Sequence, residues 1–192
     1  MEKFNREKVK RKIQRFLSLR MVLLAVIFLI VVIIWGKYVI GIILLAVFLP
    51  FTFISVRYSK MIPHISAESN TAFTFFIGYT FGPMYALIYG PIVGVSCYML
   101  NSFISPGYMM TPIIAGITGA IVGVLHFSFH MSFFQAFFIG LIIRTLVAFP
   151  IFLMFYDPLE VTSHQVSQFL SNTIIYMPLL SALYSLISTM IH

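Results

Sequence analysis

Residues 71–100 read TAFTFFIGYTFGPMYALIYGPIVGVSCYML and contain no Asp, Glu, Lys or Arg. The absence of formal charge extends from Ser69 to Ile143, which is long enough for three membrane spans of about 20 residues each. Backbone amides in hydrocarbon must be hydrogen-bonded internally, and the sequence lacks the alternation that is typical of a membrane β-barrel. This stretch therefore predicts a bundle of transmembrane α-helices.

The composition of the whole chain agrees with this prediction. Hydrophobic residues make up 60% of the 192 residues, charged residues make up 9%, and the mean hydropathy is +1.02. A soluble domain carries about 25% charged residues, so this chain cannot cover a water-facing surface. The composition also excludes a disordered chain and a nucleic-acid reader, and the lone Cys97 excludes an internal disulfide. The predicted class is an all-α polytopic integral membrane protein with six or seven transmembrane helices.

The positive charge is concentrated at the N-terminus. Eight of the twelve Lys and Arg residues lie within residues 1–20, and the net charge of the chain is +7. The positive-inside rule predicts that this segment is cytoplasmic. Its apolar residues recur at helical spacing, which favours a basic amphipathic segment along the anionic inner leaflet. We predict two regions, the basic segment 1–20 and a single helical membrane domain over residues 21–192.

Seven apolar runs, separated by short polar loops or by Pro and Gly, give the predicted helices. They are Met21–Gly36, Tyr38–Val56, Thr71–Phe81, Met84–Phe103, Thr111–Leu125, Phe133–Phe155 and Ser167–Ile191. The intervening residues 126–130 and 156–160 are interpreted as loops. With the N-terminus inside, two full spans also place Arg57 and Lys60 inside, in agreement with the positive-inside rule. Later loops carry almost no Lys or Arg, so the sequence leaves two topologies open. One has six spans with the C-terminus inside, and the other has seven spans with the C-terminus outside.

Small residues form two stripes with a spacing of four, which we call the small-residue stripes. They are Gly82, Ala86, Gly90 and Gly94 in one run, and Ala115, Gly119 and Gly123 in another. This spacing puts small side chains on one helix face and lets helix backbones approach closely. The stripes indicate either ordinary packing within the membrane or a docking surface for a second membrane protein. If they are a docking surface, Leu in place of Gly90 or Gly94 disrupts partner assembly.

The stretches that contain these stripes resemble a known family. Residues 81–94 read FGPMYALIYGPIVG and lead to Asn101-Ser102, and the loop SPGY at 105–108 leads to IAGITGAIVG at 114–123. A Gly-Pro pair, a glycine-rich helix with a polar end, a Pro-Gly loop and a second glycine-rich helix resemble the substrate-binding S components of energy-coupling factor (ECF) vitamin transporters. The tail is also similar to that family, with DPLE at 157–160 before a helix that carries Asn172 and Pro178. The likeness covers residues 60–190.

This resemblance implies a membrane subunit that captures a vitamin-like small molecule from outside. It also implies two kinds of partner, a transmembrane coupling protein and cytoplasmic ATPases. The chain has no Walker A pattern, so it does not itself hydrolyse ATP. A second resemblance is to the bacterial rod-shape protein MreD, which also has paired N-terminal spans, a central glycine-rich helix and a Pro in its last helix. That resemblance implies a membrane scaffold that binds other membrane proteins and no ligand.

Polar residues in or beside the apolar runs are the candidate ligand contacts. Arg144 is the only formal charge within a predicted span, and a cation at mid-helix costs about 2.5–3.5 kcal/mol on insertion scales, so it must face protein or water. It either anchors a carboxylate or phosphate of a ligand, or bonds to helix-end carbonyls or to an acidic residue. The predicted substrate-binding residues are Glu68, Asn70, Tyr98, Asn101, Ser102, Arg144 and Asn172.

Several of these residues have a structural alternative. Ser69 or Asn70 can cap the helix that follows. A helix cap or an interhelical hydrogen bond accounts equally for Asn101 and Ser102, and an interhelical bond accounts for Asn172.

Catalysis and metal binding are not predicted. His126 and His130 have the spacing of metal ligands on one helix face, but no Cys or carboxylate lies near them in the sequence. No Ser-His-Asp motif is present. We therefore predict that the chain is not an enzyme and has no metal and no cofactor. Its predicted partners are membrane lipid, a small-molecule ligand and, for an S component, the coupling protein and the ATPases, with no nucleic acid among them.

Overall fold

The computed structural model describes residues 38–59 and 66–191, together with positions 21, 24, 26, 36 and 61. These residues are almost entirely helical, and no β-strand occurs among them. The helices are α1 (Tyr38–Ser59), α2 (Asn70–Phe81), α3 (Pro83–Leu100), α4 (Pro106–Phe129), α5 (Phe133–Phe152), α6 (Pro158–Ser171) and α7 (Met177–Ile191), with a π-helical turn, Asn172–Tyr176, between α6 and α7.

The chain divides into two units, Met1–Ile42 and Ile43–His192. In the first unit, the described residues are helical. The second unit is a helical bundle built from α2–α7 and the part of α1 that follows Ile42. The predicted basic segment 1–20 and nearly all of the predicted run Met21–Gly36 lie outside the described residues.

Five described segments are long and apolar enough to cross a membrane. They are Tyr38–Ser59, Pro83–Leu100, Pro106–Phe129, Phe133–Phe152 and Pro158–Thr189. The protein is therefore an all-α polytopic membrane protein, which confirms the predicted fold class. The predicted loops 126–130 and 156–160 are wrong for most of their length, because residues 126–129 form the last turn of α4 and residues 158–160 form the first turn of α6.

The early start of α6 has a physical cause. The carboxylate of Asp157 accepts a hydrogen bond from the backbone N–H of Leu159 at 2.9 Å, and Pro158 occupies the first helical position. An acidic N-cap followed by proline is a pattern that begins helices, since proline has no N–H to leave unpaired there. The polar residues 158–166 therefore continue into the last span as one helical segment.

Helix α2 is short and buried on every side. It has 12 residues, about 18 Å at 1.5 Å per residue, which is roughly half of a membrane crossing. All of its residues are buried, and it packs against α3, α4, α5 and α7. It ends at Gly82, whose φ of +116° favours glycine and lets the chain reverse into α3. The predicted short segment Thr71–Phe81 is therefore an internal half-length helix.

The small-residue stripes pack inside the chain. A Cβ atom built on Gly90 would lie 2.8 Å from the Cα of Gly116, and one built on Gly119 would lie 2.7 Å from the Cγ2 of Thr74. The structure corrects the docking prediction, because the space along the stripes is filled by α2, α3 and α4 of this same chain, and the packing interpretation applies. The buried stripe residues are Gly82, Ala86, Gly90, Gly94, Ala115, Gly119 and Gly123.

The helices of the second unit run between two ends. At the end of α3, the Asn101 side chain donates to the carbonyl oxygen of Phe53 late in α1, at 3.3 Å. At the end of α2, the Tyr79 hydroxyl donates to the carbonyl oxygen of Met131 between α4 and α5, at 3.2 Å. The first is the Glu68 end, made of residues 66–69, 101–105 and 153–157, and the second is the Gly82 end, made of Gly82 and residues 130–132.

Residues 66–69, which lead into α2, are largely buried although they are not helical. Irregular backbone in a membrane protein needs protein or a water-filled cavity around it, because lipid offers no hydrogen bonds. Hydroxyl groups of neighbouring helices satisfy this backbone, and we call them the hydroxyl clamp. The bonds join Ser66 N–H to Ser167 Oγ (2.8 Å), Ala67 N–H to Ser59 Oγ (2.9 Å), Ser69 N–H to Ser55 Oγ (3.1 Å), Ser171 Oγ to Ser66 O (3.1 Å) and Tyr176 OH to Ala67 O (2.8 Å).

Replacing both Ser167 and Ser171 by alanine is expected to lower the unfolding temperature. The change leaves the N–H and C=O of Ser66 buried without these partners, and each unpaired group costs about 1–3 kcal/mol. Thermal unfolding of the purified protein measures the effect. Ser185→Ala is the matched control, because that hydroxyl is exposed and bonds only to Ala182 of its own helix. If the double variant is no less stable than the control, the clamp does not contribute to stability.

Candidate functional site

A group of buried polar side chains lies beside the hydroxyl clamp. Glu68, Asn70 and Asn172 are fully buried, and Arg144 is 1% exposed. Buried polar and charged groups destabilise a protein unless they are hydrogen-bonded or paired. Their contacts therefore decide what this part of the bundle can do. We call the group the polar cluster; it consists of Glu68, Asn70, Thr71, Tyr98, Arg144, Gln165, Gln168 and Asn172.

Two neutral amides hold the guanidinium of Arg144. Its Nη1 donates to Gln165 Oε1 at 2.9 Å, and its Nη2 donates to Gln168 Oε1 at 2.6 Å. Glu68 also attracts it electrostatically. Because the direct partners are neutral, they orient the guanidinium without cancelling its charge. The Nε of Arg144 has no hydrogen-bond partner among the described residues, so it can donate to one more acceptor.

The same network ties α6 to α2 and to the π-helical turn. The Gln168 side chain donates to Thr71 Oγ1 at 3.4 Å, and the Gln168 carbonyl accepts from Asn172 Nδ2 at 2.7 Å. The π-helical turn begins at Asn172, and single π turns occur frequently at functional sites. Residues from α2, α5, α6 and this turn are thus held in one network.

Tyrosines connect the cluster with the surface at the Glu68 end. The Tyr98 hydroxyl donates to Glu68 Oε2 at 2.5 Å, and both residues are fully buried. The Tyr98 ring stacks on Tyr108 with centroids 6.0 Å apart, and Tyr108 stacks on Tyr156 at 5.6 Å. Tyr108 and Tyr156 are only half-buried. The three rings, which we call the tyrosine column, therefore run from the polar cluster towards the Glu68 end.

Several polar atoms of the cluster lack a hydrogen bond within the described part of the chain. They are Asn70 Nδ2, Asn70 Oδ1, Arg144 Nε, Gln165 Nε2 and Asn172 Oδ1. In native proteins about nine buried polar groups in ten are satisfied by protein or ordered water, and leaving one unsatisfied costs about 1–3 kcal/mol. Five such atoms in one cluster indicate a place for ordered water or for a polar ligand.

The structure brings five of the seven predicted substrate-binding residues into this cluster. They are Glu68, Asn70, Tyr98, Arg144 and Asn172. Hydrogen bonds or electrostatic contacts link all of them except Asn70, which precedes Thr71 in the chain and whose amide nitrogen lies beside Gly94 of α3. Asn101 and Ser102 are not part of it: the side chain of Asn101 bonds to Phe53 and Cys97, and both residues line a separate surface depression beside Arg57. The structure separates these two residues from the other five, because α3 ends at Leu100 and places them at the rim of the bundle.

The structural alternatives to ligand binding have a different outcome for each residue. Helix α2 has no side-chain cap bond, so capping does not account for Asn70. Asn172 bonds within its own helical segment rather than between helices. Arg144 bonds to side-chain amides, which were not among the partners expected from sequence.

Sequence reasoning missed three members of the cluster: Thr71, Gln165 and Gln168. Gln165 was missed because it lies between the predicted loop 156–160 and the predicted span Ser167–Ile191, and Gln168 was missed although it lies within that span. A signal was present, since Val161, Gln165, Gln168 and Asn172 follow one another at intervals of four, three and four, the spacing of one helix face. Val161 and the three polar residues are all buried.

His126 and His130 lie at the Gly82 end, away from the polar cluster. His126 is in the last turn of α4 and stacks on Tyr79 at 3.9 Å, and His130 ends that helix with a φ of +53°. Among the described residues, no three His, Cys, Asp or Glu side chains are placed to hold a metal ion together.

The fold and the site define a polytopic helical membrane protein with a buried polar cluster near one end of its bundle. Comparison of the chain with protein-family models, with curated protein sequences and with solved structures gives no match.

Proposed function

We propose that this chain is a membrane-embedded substrate-binding subunit, of the kind that the likeness to S components implies, and that it captures a vitamin-like small molecule for uptake. The observation that carries the proposal is the set of five unsatisfied polar atoms in the polar cluster. Each such atom costs about 1–3 kcal/mol when nothing bonds to it. A polar ligand that bonds to these atoms removes that cost. When no ligand is bound, ordered water can take its place.

The same observation argues against a scaffold without a ligand. Replacing a buried charged or polar group by apolar residues of similar volume is often neutral or stabilising. A purely structural bundle therefore gains nothing from Arg144, Asn70 and Asn172 in its interior. Binding of a polar molecule gives these residues a role that packing alone does not.

Helix α2 supports the proposal from a different direction. In many transporters the binding site forms where an interrupted or half-length helix leaves its terminus inside the membrane domain. α2 begins at Asn70, inside the polar cluster, and its first turn has no side-chain cap. A helix N-terminus carries partial positive charge and unpaired N–H groups, so it adds further donors to the site.

The proposal fixes an orientation and a set of partners. Capture from outside requires the Glu68 end to face the exterior, because the tyrosine column leads to that end. Arg57 lies at this end, so a cytoplasmic N-terminus then requires one membrane crossing before Arg57 in place of the two that the sequence predicts. The protein then resides in the cell membrane with a cytoplasmic N-terminal segment. It works with a transmembrane coupling protein and cytoplasmic ATPases, and performs no catalysis of its own.

Mass spectrometry of extracts from the purified protein tests the proposal. We expect a small molecule in about one-to-one ratio with the chain, released on denaturation. A matched preparation of Asn172→Leu is expected to carry much less of it, because the cluster loses an acceptor. If no small molecule accompanies protein prepared from its native membrane, the binding function is refuted, and an MreD-like scaffold becomes the better account.

A further inference from the structure

A second group of polar residues surrounds one surface depression, which we call the Arg57 depression. It has a volume of about 360 Å³ and lies where α1 and α3 end, at the Glu68 end of the bundle. Its polar lining consists of Arg57, Asn101 and Ser102. Since these residues lie outside the polar cluster, what this depression binds is independent of the proposed function.

The Arg57 depression carries an unmatched positive charge. Arg57 is exposed, and no hydrogen bond or ion pair occupies its guanidinium within the described part of the chain. None of the residues that line the depression is acidic. A guanidinium presents five N–H donors in a planar fork that matches phosphate and carboxylate groups. The depression therefore favours an anionic group.

The carbonyl groups at the end of α3 do not need the donors of Arg57. The last four carbonyls of a helix lack an intrahelical partner, and an Arg side chain nearby can bond to them. Here backbone N–H groups that follow the helix occupy three of these four carbonyls. They pair Asn101 N–H with Cys97 O (3.1 Å), Ser102 N–H with Met99 O (3.0 Å) and Phe103 N–H with Tyr98 O (3.0 Å). The guanidinium thus stays available to a molecule in the depression.

Asn101 fixes the two sides of the depression relative to each other. Its Nδ2 donates to the carbonyl oxygen of Phe53 in α1 at 3.3 Å and to that of Cys97 in α3 at 2.8 Å. Ser102 follows with a φ of +60°, which turns the chain out of α3. The fold therefore forms the depression before any ligand binds.

The apolar lining and the position of the depression favour a lipid over a free anion. Phe53, Leu100 and Phe103 line it beside the polar residues. Because α1 and α3 are both long and apolar enough to cross a membrane, their ends lie at the level of the lipid headgroups. Exposed Tyr58 agrees with this level, since tyrosine is enriched at membrane–water interfaces. A phospholipid supplies both a phosphate for Arg57 and acyl chains for the apolar wall.

We propose that the Arg57 depression binds the headgroup of a phospholipid, whose phosphate accepts hydrogen bonds from the guanidinium of Arg57 and the hydroxyl of Ser102. Asn101 is a positioning residue, because its Nδ2 already serves two carbonyl oxygens. The acyl chains lie along Leu100, which is 68% exposed. One lipid per chain is thereby held more tightly than the lipids that surround the rest of the bundle.

Three probes that share parts of one lipid test this proposal on the wild-type protein. Dioleoylphosphatidylglycerol carries a phosphate and acyl chains, dioleoylglycerol carries the chains alone, and glycerophosphate carries the phosphate alone. We expect native mass spectrometry of the delipidated protein to show one bound dioleoylphosphatidylglycerol at concentrations at which the other two do not bind. Equal binding of dioleoylglycerol would overturn the role of the phosphate. Equal binding of glycerophosphate would overturn a lipid as its source.

Arg57→Met tests the residue that provides the charge. The side chain is exposed, so the fold should be retained, and we expect the affinity for dioleoylphosphatidylglycerol to fall about five- to tenfold. Arg6→Met is the matched control, because it removes the same charge from the basic segment 1–20, and its affinity should stay within about twofold of wild type. Equal losses in the two variants would show that binding follows net charge, which would overturn the site.

Ser102→Gly tests the second phosphate contact. Glycine adopts a positive φ without strain, so the variant removes the hydroxyl and keeps the backbone at the end of α3. We expect the affinity for dioleoylphosphatidylglycerol to fall about two- to fivefold, as for the loss of one hydrogen bond, with no fall in unfolding temperature. An affinity equal to that of wild type would overturn the role of Ser102.

Discussion

Arg144→Met is expected to empty the polar cluster of its ligand while the protein stays folded. Methionine fills most of the same length without charge or donors. Removing one partner of a buried, hydrogen-bonded charge interaction costs about 2–5 kcal/mol of binding free energy, so affinity should fall more than about 30-fold. The amount of small molecule recovered per chain by mass spectrometry should drop accordingly.

Stability should respond much less, because two effects oppose each other. Gln165 Oε1 and Gln168 Oε1 lose their donor, and each unpaired acceptor costs about 1–3 kcal/mol. The variant also avoids the cost of a cation at mid-helix, which is about 2.5–3.5 kcal/mol on insertion scales. Buried Glu68 also loses the opposite charge that attracts it, which destabilises the fold further. We therefore expect a moderate fall in unfolding temperature beside a large loss of binding.

Arg57→Met is the matched control for this variant. It removes the same charge and introduces the same side chain, but Arg57 is exposed near the end of α1 and outside the polar cluster. Binding should survive in the control. The opposite pattern, in which Arg144→Met keeps its ligand but unfolds more readily, would make Arg144 a structural residue.

Gly78→Ala is expected to have the largest effect on stability. A Cβ atom at this position would lie 2.1 Å from the carbonyl oxygen of Gly119 and 3.1 Å from the Cβ of Ala86. The carbonyl oxygen is backbone, so it cannot rotate away, and α2 must separate from α4. Overpacking of this kind costs about 1–3 kcal/mol when side chains can yield and more when they cannot.

The direction of the change is itself diagnostic. Alanine is intrinsically better than glycine in a helix by about 1 kcal/mol, so without the contact to Gly119 the variant would gain stability. Thermal unfolding or the folded fraction in size-exclusion chromatography measures the outcome. Ile117→Ala is a control on the exposed face of α4, where we expect little change. An unfolding temperature for Gly78→Ala equal to or above that of wild type would contradict the close approach of α2 and α4.

The fold class followed from the sequence because lipid leaves few solutions for a long uncharged stretch. Internal hydrogen bonding requires helices, and the Gly82-Pro83 pair marks the break between α2 and α3. The helix bounds were harder to predict where a polar segment forms part of a helix. Residues 156–160 are polar enough to be interpreted as a loop, yet Asp157 and Pro158 begin a helix there.

The polar cluster was predictable residue by residue but not as a set. Arg144, Asn70 and Asn172 stand out because polar groups are rare in apolar runs and must be satisfied somewhere. Their proximity depends on how α2, α5 and α6 pack, and sequence spacing does not contain that information. The small-residue stripes illustrate the same limit, because spacing predicts a close contact without saying which helix fills it. Here the contact is with α2, α3 and α4 of the same chain.

A density map of the protein purified from its native membrane is the most direct measurement. We predict density for a polar organic molecule in the polar cluster, within hydrogen-bonding distance of at least one of Asn70 Nδ2, Arg144 Nε and Asn172 Oδ1. The opposite result is a map in which these three side chains bond to one another or to the backbone, with nothing between them. That result would contradict the claim that the cluster is a binding site.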